Sequence, residues 1–322
     1  MKRNQTSQLF RGLSWTVLLS LLIAACGTAA QPPVTEAATD APEVVVTEPP
    51  ASVPTEPTVS TEPPTPSQPL SGLDAEPQRV EFQAEDGTNL VGFYYPSKYA
   101  NAPIVILMHW AGGDLCDWKD IARWMQNRLD ENPAKLERCE SETRPAPWWD
   151  PSWFPPMNAD TSLAVFVFDF RGYGESGGGF GSETKQDTLA AFQTAAGLEG
   201  VDITRMASLG ASIGADGALD GCLWLNRQGI GRCLGAISFS PGDYLGLSYG
   251  VTANNLMKLG FPAWCFYAEG DIPAADSCRA AQGDLYQMFS YSGSDHGMML
   301  LRQPIDPNPL DKITEFLDLY LK

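Results

Sequence analysis

Ser212 stands in Gly210-Ala211-Ser212-Ile213-Gly214, a G-x-S-x-G pattern. A serine hydroxyl is a weak nucleophile until a base takes its proton. Histidine is the usual base, because its ordinary pKa lies near working pH. The chain holds 2 histidines, His109 and His296, so few bases are available. A serine, an imidazole and a carboxylate that steadies it could transfer an acyl group through a covalent intermediate.

The pattern alone is weak in a chain with 30 glycines. Ser176, in Gly174-Glu175-Ser176-Gly177-Gly178, satisfies it, as does Ser248 in Gly246-Leu247-Ser248-Tyr249-Gly250. The glycines after Ser176 cannot start a stable helix, and no apolar strand leads straight into Ser248. Both read as loop serines. Ser212 follows the apolar run 206–209 and precedes a helix-like segment, 215–226. A sharp turn between strand and helix raises the hydroxyl and aims the helix's first amides at the same spot.

The elements around it alternate. Residues 79–82 and 90–95 flank Glu85-Asp86-Gly87-Thr88 and read as an antiparallel hairpin. Apolar runs at 104–108, 163–168, 206–209, 234–239, 263–267 and 285–291 read as strands buried on both faces. Helix-like stretches at 118–129, 182–198, 215–226 and 309–321 lie between or after them. Such alternation implies an α/β domain with a mainly parallel sheet and helices on both faces.

The order of motifs resembles the α/β-hydrolase superfamily, over about residues 79–321. The hairpin comes first, then a strand ending in His109, then Asp169-Phe170-Arg171-Gly172-Tyr173-Gly174-Glu175-Ser176. The Ser212 elbow, Glu269-Gly270-Asp271 and Asp295-His296-Gly297 follow. The likeness is greatest to the esterase and dienelactone-hydrolase-like branch. It implies Ser212 as nucleophile, His296 as base and Asp271 as the acid that accepts the imidazole N–H. Ala268 replaces the glycine of the family's G-x-x-D segment. Glu269, Asp276 and Asp243 are rival acids. The oxyanion needs two backbone donors. The elbow implies Ile213 for one. His109-Trp110-Ala111-Gly112-Gly113 resembles the H-G-x-G-G segment and implies Ala111 for the other, with Trp110 the alternative. His109 reads as structural, and Asp169 and Arg171 as an ion pair bracing the site. No metal or organic cofactor is required.

The first residues have another purpose. Lys2, Arg3 and Arg11 precede an apolar run, 13–25, of signal-peptide length. It ends Ile23-Ala24-Ala25-Cys26, which resembles the bacterial lipobox and implies cleavage before Cys26 and lipidation of its thiol. An ordinary signal peptide or an uncleaved anchor is the alternative. Residues 26–76 carry repeats such as Thr47-Glu48-Pro49-Pro50 that cannot bury a core and read as a disordered tether. The hydrolase domain is then 77–322, on the extracytoplasmic side of a membrane.

Setting Cys26 aside, Cys116, Cys139, Cys222, Cys233, Cys265 and Cys278 remain, an even set in an exported domain, which suggests disulfides. Sequential pairing is the simplest connectivity. No C-x-x-C exists to hold zinc. The net charge of −18 argues against a nucleic-acid partner.

The segment 130–160 is long and dense in Trp and Pro, either a substrate rim or a cover for the sheet edge. The space between Phe239 and Phe261 is too short for a large helical cap. The resulting expectation is a lipid-anchored serine hydrolase acting on a small-molecule ester. A peptidase or acyltransferase would use the same residues, and a non-catalytic surface binding protein could retain the fold.

Overall fold

The computed structural model describes residues 68–128, 131, 136–139, 150–302 and 304–321. The leader, Cys26 and most of the proposed tether lie outside the described residues.

Strands β1 (Gln78–Gln83) and β2 (Asn89–Tyr95) form the antiparallel hairpin read from the Asp-Gly turn. β2 also runs antiparallel to β4 (Ala164–Asp169). The remaining strands are parallel: β3 (Ala102–Met108), β5 (Val201–Ala211), β6 (Cys233–Phe239), β7 (Ala263–Ala268) and β8 (Tyr286–Tyr291). The sheet order is β1-β2-β4-β3-β5-β6-β7-β8.

Why β3 reads as one apolar run is plain from its surroundings. Successive side chains of a strand point to opposite faces. Val105 and Leu107 join one core layer with Ile121, Met125, Ile313 and Phe316. Ile104, Ile106 and Met108 join another with Phe192, Leu219 and Leu256. Helices α1 (Lys119–Gln126) and α6 (Pro309–Tyr320) cover the first face. Helices α2 (Thr184–Ala196), α3 (Ile213–Gln228), α4 (Tyr249–Lys258) and α5 (Ile272–Arg279) cover the second. Each fully buried aliphatic side chain contributes roughly 1.5–3 kcal/mol.

Two of these helices go beyond the sequence reading. Ser248 is a loop serine, as read, and it immediately precedes α4 at that helix's N-terminal boundary. Tyr249, Thr252, Ala253 and Leu256 are buried there at helical spacing. The Thr and two Asn residues of this helix weaken its propensity, and packing decides it. α5 buries only Ala274, Ala275 and Cys278, which give little periodic contrast.

The six cysteines pair sequentially: Cys116–Cys139, Cys222–Cys233 and Cys265–Cys278, with Cα separations of 5.4, 5.2 and 5.8 Å. Closing loops of this size stabilises by about 3 kcal/mol per bridge on the chain-entropy account. Cys222–Cys233 joins α3 to β6, and Asn226 reinforces it by donating to the Cys233 carbonyl at 2.8 Å and accepting its N–H at 3.0 Å.

Within the Trp- and Pro-rich segment, Trp153 and Phe154 pack against the core layer beneath α1. Trp124 of α1 lies 5.5 Å from the Phe154 ring and donates its indole N–H to the Pro155 carbonyl at 2.8 Å. These residues act as a cover. Trp148 and Trp149 lie outside the described residues. Among the described residues, no helix is long and apolar enough to cross a membrane.

Candidate active site

Parallel strands bring the carboxyl ends of β3, β5, β6, β7 and β8 to one edge of the sheet, where loops can converge. β5 ends at Ala211, and Ser212 follows with φ 55° and ψ −117°. That conformation is costly for a side-chain-bearing residue and persists only where the surroundings enforce it. Ser212 N–H donates to the Phe239 carbonyl at 2.8 Å, and the Ser212 carbonyl accepts from Ala215 N–H at 2.8 Å. The flanking glycines are required by space. A Cβ at Gly210 would fall 1.8 Å from the Gly214 carbonyl oxygen, and one at Gly214 would fall 2.3 Å from that of Met108.

His296 reaches the elbow from the loop after β8. Its Nε2 lies 2.8 Å from Ser212 Oγ and its Nδ1 2.6 Å from Asp271 Oδ2. A carboxylate accepts, so Nδ1 carries the hydrogen and Nε2 is left to accept the serine O–H. The loops that hold this geometry are joined backbone to backbone. Glu269 N–H donates to Tyr291 at 2.8 Å, and Gly270 N–H donates to Gly293 at 2.7 Å. These bonds extend the β7–β8 pairing and set Asp271 beside His296.

The rival acids have other partners. Asp243 Oδ1 accepts from Tyr249 N–H at 2.7 Å, at the start of α4. Glu269 pairs with Arg279 and accepts from the Tyr267 hydroxyl at 3.3 Å. Asp276 is exposed on α5.

His109 is fully buried at the end of β3. Its Nδ1 lies 2.7 Å from the Trp110 carbonyl, which can only accept, and its Nε2 accepts Phe170 N–H at 3.0 Å. Both ring nitrogens are thereby satisfied in the neutral form. Burial pushes its pKa down, against the nearby Asp169 charge, which favours protonation.

Ile213 is the first residue of α3, where a helix supplies no internal acceptor for the amide. Ala111 lies in the turn after β3. The Trp110 carbonyl faces His109 Nδ1 and Gly113 N–H, so the Ala111 N–H, on the opposite side of the same planar peptide, is directed out of the turn. The Trp110 indole N–H donates to Asp117 at 2.8 Å.

Asp169 and Arg171 do brace this region, but not with each other. Asp169 accepts from Leu115 N–H at 2.9 Å and from Arg138 at 2.8 Å. Arg171 bridges Asp187 on α2 and Asp86 in the hairpin turn. The Arg171 guanidinium holds the Asp86 carboxyl down at about 2.

Three residues absent from the sequence reading support the site. Ser240, after β6, accepts from Gly297 N–H at 2.9 Å and so fixes the residue after His296. The Tyr244 ring stands edge-on to His296, with centroids 6.2 Å apart. Asp216 of α3 accepts the backbone N–H of Gly242, at 3.1 Å, and that of Tyr244. Burial, which outweighs the Gly242 and Tyr244 bonds, pushes its carboxyl up to about 8. A serine after a strand and a tyrosine in a loop carry no distinctive sequence signal. Asp216, placed among small and apolar helix residues, carries a faint one.

No protein-family model matches the chain. Over 237 residues it is 25% identical to uncharacterized protein YfhR of Salmonella typhimurium, covering 69% of this chain. The match spans only 65% of that relative's length. Esterase Pf2001 of Pyrococcus furiosus superposes with a TM-score of 0.52 at 15% identity, covering 80% of this chain and 98% of that one. A 2,6-dihydroxy-pseudo-oxynicotine hydrolase gives 0.50 at 14% identity, covering 77% of this chain and 68% of that one. Likeness at such identities is a likeness of fold. The eight-stranded, mostly parallel sheet with its antiparallel N-terminal pair is that of the α/β-hydrolase fold.

Proposed function

We propose that the protein is a serine hydrolase acting on carboxylic esters. The observation that carries this reading is the Ser212–His296–Asp271 hydrogen-bond chain at a strained strand-to-helix turn. Ser212 Oγ attacks the ester carbonyl carbon as its proton passes to His296 Nε2. Asp271 accepts Nδ1–H and stabilises the imidazolium. The tetrahedral oxyanion is held by the Ile213 and Ala111 amides, aided by the N-terminus of α3. The imidazolium then protonates the departing alkoxide, leaving an acyl-serine. Water, deprotonated by His296, attacks the acyl carbon, and the imidazolium returns that proton to Ser212 Oγ as the acyl–oxygen bond breaks, releasing the acid and free Ser212. The esterase name of the Pyrococcus neighbour favours an ester over an amide.

Fluorophosphonate labelling and p-nitrophenyl acetate hydrolysis test this reading. Both should vanish in Ser212→Ala and persist in Ser176→Ala and Ser248→Ala. Undiminished labelling of Ser212→Ala refutes it.

The same reading places the domain outside the cytoplasmic membrane, anchored by lipid on Cys26 through the tether 26–76. Mass spectrometry of membrane-derived protein should find a lipidated Cys26 at the mature N-terminus. A different N-terminus would overturn the anchor and leave the chemistry untouched.

A further inference from the structure

Trp110 stands in the turn after β3, where the H-G-x-G-G pattern has a glycine, so this turn must house an indole ring. The side chain is half-buried and packs against the core layer that holds Leu115 and Met298. Three glycines show where the ring lies. A Cβ at Gly112 would fall 3.1 Å from Trp110 Cε2, and one at Gly113 would fall 2.8 Å from its Nε1. A Cβ at Gly297 would fall 3.1 Å from Trp110 Cε3. The first two glycines belong to the same turn as the ring. The third follows His296 directly, after β8.

Two loops far apart in sequence therefore meet on one ring. Its indole N–H is pinned by the buried Asp117, at 2.8 Å. The Trp110 carbonyl accepts Gly113 N–H at 3.2 Å and faces His109 Nδ1 at 2.7 Å, which fixes the peptide whose N–H belongs to Ala111. On the far side, Gly297 donates its N–H to Ser240 Oγ at 2.9 Å and takes φ 57°. The bulky residue of one loop thus fits the empty side of the other. The two loops approach from opposite sides of the elbow strand, since β3 flanks β5 on one side and β6, β7 and β8 lie on the other.

We propose that Trp110 is a positioning residue, which holds the oxyanion turn and the His296 loop at one spacing around Ser212. This role rests on the serine-hydrolase reading. Acyl transfer needs the oxyanion donors and the base set together about one carbonyl carbon. Ala111 N–H is fixed by its turn, and His296 by Asp271 and its own loop. The ring contact ties one to the other. Misplacement by about 1 Å costs on the order of a hundredfold in rate. Acylation and deacylation use the same donors and the same base, so both steps slow together. The loss then falls on kcat and leaves KM nearly unchanged.

Kinetics of the full chain on p-nitrophenyl acetate test the role, with fluorophosphonate labelling of the parent and of Ser212→Ala run beside them. Trp110→Ala should lower kcat about a hundredfold per folded molecule and move KM by less than about threefold. Trp110→Leu takes its place if that variant does not fold. Trp110→Phe, which keeps a ring against Gly297, should recover most of the rate. Trp124→Phe, a like change in α1, should keep the parental kcat. Gly297→Ala should also be slow, in part from strain at its positive φ. That strain is the same whichever residue stands at 110, so the contact is read from the pair. Gly297→Ala should cost at least about fivefold less in the Trp110→Ala background than in the parent. Parental kcat in Trp110→Ala, a loss confined to KM, a Trp110→Phe as slow as Trp110→Ala, an equal loss in Trp124→Phe, or equal costs of Gly297→Ala in the two backgrounds would each overturn the role while the hydrolase reading stands. An unlabelled parent, or a labelled Ser212→Ala, would overturn the hydrolase reading and this role with it.

Discussion

The two histidines of this chain stand in opposite surroundings. His109 is fully buried, and both its nitrogens meet backbone groups, the Trp110 carbonyl and the Phe170 amide. His296 has a side chain 32% exposed, and its nitrogens meet the side chains of Asp271 and Ser212. A backbone carbonyl only accepts and a backbone amide only donates, so His109 is locked in one tautomer. A hydroxyl can surrender its proton to an imidazole that a carboxylate has readied. The same ring is therefore a rivet at the end of β3 and, in the proposed mechanism, a proton carrier after β8. Partners, not residue type, separate the two roles.

The largest effect should come from removing the proton carrier. His296→Ala should lower kcat for p-nitrophenyl acetate by about a millionfold while the unfolding midpoint stays near that of the parent. His109→Ala, in the same assay, should lose far less activity per folded molecule. Equal losses from the two would erase the distinction drawn here.

Next in size is the partner of His296. Asp271→Asn should keep the fold and lower kcat by about ten-thousandfold, because an amide no longer stabilises the imidazolium. Glu269→Gln and Asp243→Asn should be much milder, since their carboxylates pair with Arg279 and the Tyr249 amide. A crippled Asp243→Asn beside a near-normal Asp271→Asn would reassign the acid.

His109 should reveal itself in stability. His109→Ala leaves the Phe170 amide and Trp110 carbonyl without their partner, at about 2–3 kcal/mol in denaturant unfolding. Its pKa is depressed in the folded state by burial, so the unfolded chain binds the proton more readily. Its contribution is therefore present above the unfolded value of roughly 6.5 and is lost as pH falls through the folded one. Asp216 acts with the opposite sign. Its carboxyl is raised to about 8, so its contribution is full below about 4 and lost as pH rises through about 8. Unfolding midpoints from pH 4 to 9 should show His109→Gln flattening the acid limb and Asp216→Asn the alkaline one. Unchanged limbs would mean that neither buried group differs between folded and unfolded chains.

The smallest effect concerns Ser240. Ser240→Ala removes the acceptor of the Gly297 amide, worth about 1 kcal/mol, and should lower kcat several-fold with KM little changed. A loss as large as that of Asp271→Asn would make Ser240 part of the chemistry itself.

Much of this molecule is legible in its residues. The apolar runs of β3, β4 and β7 are strands covered on both faces, and their alternation with helical stretches points to a parallel sheet, whereas the run 285–291, read the same way, is the partly exposed edge strand β8. The crowding at Gly210 and Gly214 likewise follows from the need to turn a strand into a helix within a few residues. With two histidines in the chain, the choice of base was narrow. Helices α4 and α5 were not legible, because their buried faces are small or polar and gain definition only against the sheet. Local pattern by itself did not choose among Glu269, Asp271 and Asp276, which sit close together in the chain, or Asp243 after the preceding strand; only the resemblance of the segment to G-x-x-D favoured Asp271. That choice depends on where two loops meet, and the Gly270–Gly293 bond that joins them connects residues far apart in sequence. Arg171 tells the same story: its carboxylate partners come from the hairpin turn and α2, not from neighbouring Asp169. Propensity and periodicity act over a few residues and specify elements. The pairing of side chains at the ends of those elements is fixed by how the elements pack, and only the folded chain contains that information.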